Sequence, residues 1–450
     1  MSHWVWRDSR REPEEQGLPG VRRLGGGKHV SERETHGPTV NRWLLFALLT
    51  IAGILALVDR QIISVLKPTI AGELGWSDND YGTLGASFQG ATAIALLFTG
   101  PIADRLGVKW ANAFGVFTWS VAAMFHGWAR SLMEFTICRI ALGATEALAA
   151  PTNIKTIAVI FPPNMRTMGF GLSNAVASLG AICAPLFIPI IALAIGWRGA
   201  FVAAGAAGIV WAAVWVLVTR KIRFNDAVTA VAPGAAGAGP SIFRERATWA
   251  VAGAKTLSDM TWWLMLFWMP DFMHRQFGLT GVAIGPPLAL AYAGAAAGAL
   301  LSGGLASQFL IKGYPVNRVR KLAMLISGLL VLPLPLALYA PTAWAAAGIL
   351  ALVLFAHQGF STNLFALITD VTDRRKIGRV TSFATFCGNI GGMGIVKAAG
   401  MFLAAGLGYM PLFLFAAVSY LLALGWIQLW LPRIERIASS DDQPVLAAAH

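Results

Sequence analysis

Twelve apolar runs divide the chain, at about 43–66, 82–103, 110–128, 133–157, 166–191, 197–219, 249–273, 284–310, 322–340, 343–369, 378–403 and 409–431. Each is long enough to cross a bilayer, since about 20 helical residues at 1.5 Å each cover the hydrocarbon core. The runs are continuously apolar, not alternating, which favours helices over barrel strands. The widest gap, 220–247, is basic at both ends and rich in Ala, Gly and Pro from Ala230 to Pro240. That is linker composition, and it divides the spans six and six. The expected fold is an all-α integral membrane protein of twelve transmembrane helices in two six-helix bundles, 42–219 and 248–433. Residues 1–41 are polar, rich in Arg and Glu and without an apolar stretch. They are expected to form a disordered tail, not a secretory signal. Residues 434–450 form a second short tail.

Charge fixes the expected orientation. The formal net charge is +13, yet only 13% of residues are charged against 56% hydrophobic. The basic residues sit in short loops after the even-numbered spans, such as Arg220-Lys221-Arg223 and Arg374-Arg375-Lys376. The opposite loops carry roughly one each, such as Lys67, Arg130, Arg198 and Arg275. Positive loops stay inside, so both termini, the tails and the linker are expected in the cytoplasm. The same distribution argues for a lipid surface and against nucleic acid. Cys138, Cys183 and Cys387 lie in apolar runs without C-x-x-C spacing, so neither disulfides nor a metal site follow. Gly25-Gly26-Gly27-Lys28 lacks the upstream glycine of a phosphate loop. No cofactor and no enzymatic constellation is expected.

The exceptions to apolarity carry the chemistry. Asp59 and Arg60 sit side by side in the first run. Each charge near the middle of a membrane helix costs about 2.5–3.5 kcal/mol on insertion scales. The plain alternative is a structural pair or one that reaches water at the helix end. The sharper reading is a water-filled cavity handling an ion or charged solute. In the fourth run, Arg139, Gly143, Glu146, Ala150 and Asn153 advance by four and three. They form one polar and small stripe that must face other helices or a cavity. Lys155 falls on the other side unless Pro151 turns the helix. Arg60 can hold a carboxylate with two parallel hydrogen bonds. Asp59 and Glu146, with Arg139 beside them, are the candidate proton-coupling groups. An arriving anion would compete for Arg60 and make the acids easier to protonate. Sugar hydroxyls need neutral partners and aromatic faces. Gln89, Asn174, Trp262, Trp263, Tyr292, Ser361, Asn363 and Asn389 are candidates, each with helix packing as its alternative. Asp259 and Lys255, one turn apart, are read as a structural pair.

Gly100, Asp104, Arg105, Gly107 and Lys109 resemble the G-x-x-x-D-R-x-G-x-K signature of the major facilitator superfamily, between its second and third helices. The resemblance implies a conformational latch, with small Gly100 allowing close approach and Asp104 pairing with a neighbouring base. Ser307 stands at the matching place in the second half, where the latch is expected to be weaker. Asp59-Arg60, the segment Arg139 to Pro151, Asn153-Ile-Lys155, Lys255-x-x-x-Asp259-x-x-Trp262-Trp263 and His357-Gln358-Gly-Phe-Ser361-Thr-Asn363 are similar to the anion:cation symporter family and its hexuronate branch. The resemblance covers about 42–433. Leu57 and Val58 stand where the family often has a Tyr. It implies proton-coupled symport of an organic anion, a hexuronate or related sugar acid, by alternating access. The expected setting is the inner membrane, with one chain working as a monomer. The alternatives are export of hydrophobic compounds and uptake of a non-sugar carboxylate. A drug exporter has no need of a buried Arg. A receptor would want an ordered cytoplasmic domain.

Overall fold

In a computed structural model, the described residues are 41–162, 165–222, 224, 241–373 and 376–434, with the side chains of residues 167, 170, 174, 175 and 177 left aside. The first tail, most of the expected linker and residues 435–450 lie outside them. All regular structure among the described residues is helical. The first half holds α1 (Arg42–Val65), α2 (Lys67–Leu74), α3 (Asp78–Phe125), α4 (Leu132–Glu146), α5 (Ala149–Ile160) and α6 (Arg166–Thr219). The second holds α7 (Arg246–Phe277), α8 (Gly285–Ile311), α9 (Val316–Val331), α10 (Ala343–Val371), α11 (Ile377–Ala404) and α12 (Met410–Trp430).

By length and composition, eight helices among the described residues can cross a membrane. Two of these are double crossings. The 48-residue α3 turns back at Gly107 (φ 68°) and the 54-residue α6 at Gly196 (φ 77°). Only glycine takes such left-handed angles without a steric cost. The fourth crossing is α4 followed by α5, each too short alone. The seventh, α7, fails a simple apolar test because Lys255, Asp259 and Asp271 interrupt it. The twelve expected crossings are therefore all present. Capping boxes start two of them: Ser77 with Asp80 opens α3, and Ser131 with Glu134 opens α4. Each box satisfies orphan N–H donors at the helix start.

The polarity pattern is that of a bilayer protein. Large apolar side chains such as Leu193, Ile311, Met133 and Leu429 face outward, as an apolar solvent requires. Indole N–H groups tie the first half together: Trp211 donates to the Leu48 carbonyl (2.8 Å) and Trp215 to that of Lys109 (2.9 Å).

The halves meet along α3 with α11, α6 with α8 and α1 with α7. Gly82 and Gly400 make one close approach between them. A Cβ on Gly400 would lie 2.6 Å from the Asp78 carbonyl oxygen and 2.9 Å from Gly82 Cα. This contact lies at the end of the bundle bearing residues 66–77, opposite the strongly basic loops.

Candidate functional site

Arg60 stands where the halves face each other. Its Nε donates to Glu146 Oε2 at 2.5 Å. Its guanidinium carbon lies 5.6 Å from the Phe88 ring and 6.0 Å from the Trp263 ring, which belongs to the other half. The Arg60 side chain is 21% exposed, while Glu146 is fully enclosed. Asp59 is buried beside it, and its Oδ1 has no hydrogen-bond partner among the described residues. Arg139 is also buried, 6.0 Å from the Phe88 ring, and none of its guanidinium nitrogens has a hydrogen-bond partner among the described residues. Asp59, Glu146 and Arg139 lie within one another's electrostatic reach. The four charged candidates of the first half thus form one cluster.

The helix gives way next to that cluster. Pro151 has no N–H for the carbonyl of residue 147. The Leu148 N–H bonds Thr145 instead, and the helix breaks between Glu146 and Ala149. This corrects the continuous stripe expected from 139 to 153: Ala150 is exposed, and Asn153 bonds Ser173 at 3.2 Å. The break borders a cavity of about 270 Å³ whose wall includes Arg60, Asn112, Trp119, Asn153 and Ser173.

Around Trp262 the second half offers a neutral, aromatic surface. Trp262 stacks on His357 (5.2 Å, 16°) and meets Tyr292 edge-on at 6.5 Å. His357 Nδ1 is 2.7 Å from the Tyr420 hydroxyl. Trp263 Nε1, the Tyr292 hydroxyl, Asn389 Oδ1 and both amide atoms of Gln89 are buried without a hydrogen-bond partner among the described residues. Ser361 is buried on α10. The side chain of Asn174 lies outside the described residues.

Asn363 does not join this group. Its amide donates to Ser302 Oγ (3.0 Å) and the Gly359 carbonyl (2.9 Å), and its oxygen accepts from Arg320 (3.3 Å). It is a packing group between α8, α9 and α10, because the neighbouring helices saturate its amide. Gly100 is a second correction. A Cβ there would meet nothing within 4 Å, so no close approach depends on it in this conformation. Asp104 pairs with Lys155 of α5. Gly107 makes the turn, Lys109 Nζ reaches the Arg220 carbonyl at 3.4 Å, and Arg105 is exposed. In the second half Ser307 is exposed, and Arg320–Asp370 (2.9 Å) ties α9 to α10.

Sequence reasoning missed a charge network that joins the halves. Lys67 Nζ donates to Asp271 Oδ1 (2.6 Å) and Asp78 Oδ1 (2.7 Å). Arg275 reaches Asp271 Oδ2 (2.8 Å) and Asp78 Oδ1 (2.5 Å), and the Tyr409 hydroxyl donates to Asp271 (2.5 Å). Trp268 stands 4.6 Å from the Lys67 ammonium. Lys397 of α11 adds bonds to Asn79 and Thr83 at 2.7 Å each. Nearby, Arg198 and the Trp197 indole hold the exposed Glu73 carboxyl below its usual range by hydrogen bonding. At the opposite end, Asp104–Lys155, Arg320–Asp370 and Lys376–Glu245 each stay within one half.

Two helical halves sealed at one end, with a buried charge cluster between them, define a multi-pass membrane transporter. The model of the Major Facilitator Superfamily matches residues 49–396, and the chain belongs to that family. Its members are transporters, not enzymes. The chain is 29% identical to a probable L-galactonate transporter of Escherichia coli K12 over 360 residues, covering 75% of this chain and 79% of the relative. It is 26% identical to the hexuronate transporter of the same strain over 437 residues, covering 90% and 98%. A D-galactonate transporter of Escherichia coli O6:H1 is 26% identical over 418 residues, covering 87% and 96%. The fold matches crystal structures of a bacterial homolog to the human lysosomal transporter Spinster. In its inward-facing occupied form the TM-score is 0.70 at 19% identity, covering 89% of this chain and 99% of that one.

Proposed function

We propose that the chain is a secondary active transporter that imports a sugar acid of the hexuronate or galactonate class together with protons. The Arg60–Glu146 pair carries this reading, because it puts an anion-binding guanidinium on a buried acid at the seam between the halves. An incoming carboxylate competes with Glu146 for Arg60, since the guanidinium offers two parallel donors to one planar partner. Glu146 then loses its counter-charge in a desolvated setting and takes up a proton. Asp59 is the second acid within reach, and Arg139 supplies the standing positive charge. Gln89, Trp262, Trp263, Tyr292, Ser361 and Asn389 meet the hydroxyls. The names of the relatives support the substrate class.

The basic loops face the cytoplasm and the protein sits in the inner membrane with both termini inside. The sealed end then faces outward, and the arrangement of ion pairs corresponds to a carrier open to the cytoplasm. Residues 42–219 and 248–433 move as two units, with 220–247 as the cytoplasmic linker. The Asp104–Lys155 pair, Gly107, Arg105 and Lys109 hold the inner end of the first unit. One chain suffices, working as a monomer.

Purified protein in proteoliposomes tests the reading. Labelled D-galactonate or D-galacturonate should accumulate against its gradient when the outside is acidified, and a protonophore should abolish accumulation. Uptake that equilibrates without regard to pH would contradict proton coupling. Transport of short carboxylates with neither sugar acid carried would contradict the class.

A further inference from the structure

Lys255 and Asp259 have no part in the scheme above. Lys255 Nζ donates to both Asp259 oxygens, at 2.7 and 2.6 Å. The pair lies one turn apart on α7, so it joins no two helices. Lys67–Asp271 and Arg320–Asp370, by contrast, each tie two helices together. Two charges inside one membrane helix carry an insertion cost of about 2.5–3.5 kcal/mol each, and this pair makes no ion pair to a second helix among the described residues.

Its surroundings are set by α10 and α11. Gly388 of α11 lies against the pair, and a Cβ there would collide with Asp259 Oδ2 and approach Lys255 Cγ to 3.3 Å. The two side chains remain 9% and 10% exposed. The Lys255 ammonium lies 4.9 Å from the ring of Phe365, which is 40% exposed. Along α7 the pair precedes Trp263, which faces Arg60. Trp263, one turn further along α7, brings its ring 6.0 Å from the Arg60 guanidinium carbon. Four helical residues rise about 6 Å. A six-carbon acid is about 6 Å from end to end, and a hydrogen bond adds about 3 Å at each end.

We propose that Lys255 and Asp259 form the subsite for the hydroxyl-bearing end of a six-carbon polyhydroxy acid whose carboxylate sits on Arg60. Asp259 accepts from neighbouring hydroxyls and Lys255 donates to their oxygens, each exchanging its partner for substrate. A three-carbon hydroxy acid engages Arg60 alone. This rests on the sugar-acid reading above.

The test compares D-galactonate with lactate on purified full-length protein, followed by tryptophan fluorescence. The double substitution Lys255→Met with Asp259→Leu removes both charges and leaves none unpaired, a change that buried pairs often tolerate. It should weaken galactonate binding at least tenfold and leave lactate binding within twofold. Gly388→Ala should lower galactonate affinity in the same sense. A double variant that keeps the wild-type preference for galactonate would overturn the subsite and leave the sugar-acid reading standing. Wild-type protein with no preference for galactonate over lactate would overturn both.

Discussion

The two halves handle polarity in opposite ways. In the first half, charges are shared between helices: Arg60 of α1 holds Glu146 of α4, with Asp59 and Arg139 buried alongside. In the second half, rings and neutral groups gather around Trp262, which stacks on His357, and His357 meets Tyr420, while the charged pair Lys255–Asp259 stays within one helix. A carrier that must load an anion and a proton needs charges that can exchange partners. A carrier that must recognise a sugar needs a surface of fixed hydrogen-bonding groups and aromatic faces. In the proposed scheme this difference divides the labour, with carboxylate and proton on the first half and the sugar body on the second.

Removing the pivotal charge should break the comparison most completely. Arg60→Ala leaves Glu146 buried without its partner and removes the carboxylate fork. Losses of about 2–5 kcal/mol are typical for such truncations, so galactonate affinity should fall by roughly thirtyfold or more. Arg60→Lys supplies only a point charge and should cost roughly tenfold. Calorimetry on purified protein checks both, and tight binding by Arg60→Ala would remove the first half's role as anion site.

The next effect concerns the sealed end. Gly400→Val puts a side chain where a Cβ alone would lie 2.6 Å from the Asp78 carbonyl oxygen. The halves should then fail to close there. Uptake should fall more than tenfold, and a cysteine replacing Thr83 should become reactive to an external thiol reagent. Unchanged reactivity would mean that this contact is not a gate.

The smallest effect should come from Asn363. Asn363→Ala removes bonds to Ser302, Gly359 and Arg320. Stability should drop by about 1–3 kcal/mol, read as a lower unfolding temperature, with substrate affinity unchanged within twofold. A large loss of affinity at unchanged stability would return Asn363 to the binding surface.

The crossings were legible because a bilayer demands continuous apolar length, and no packing detail can override that. Asp59, Arg60, Arg139 and Glu146 were legible for the complementary reason: a charge in such a run is costly enough to stand out. Pairing was not legible. Lys67 and Asp271 are 204 positions apart, and in the sequence Lys67 is simply a loop charge. Asn363 shows the same limit, since an amide in an apolar run looks alike whether a sugar or Arg320 satisfies it. Lys155 illustrates a third. A straight helix puts it away from the polar stripe, but the break before Ala149 lets α5 turn it to Asp104.

The central claim is that Glu146 trades Arg60 for a proton when substrate arrives. Glu146→Gln keeps the size of the side chain and removes the proton that can be released. In proteoliposomes, this variant should still exchange labelled for unlabelled D-galactonate, because the loaded carrier can reorient. It should not accumulate substrate in response to an imposed pH step. Accumulation by Glu146→Gln against a concentration gradient, driven by that pH step, would show that Glu146 is not the coupling acid.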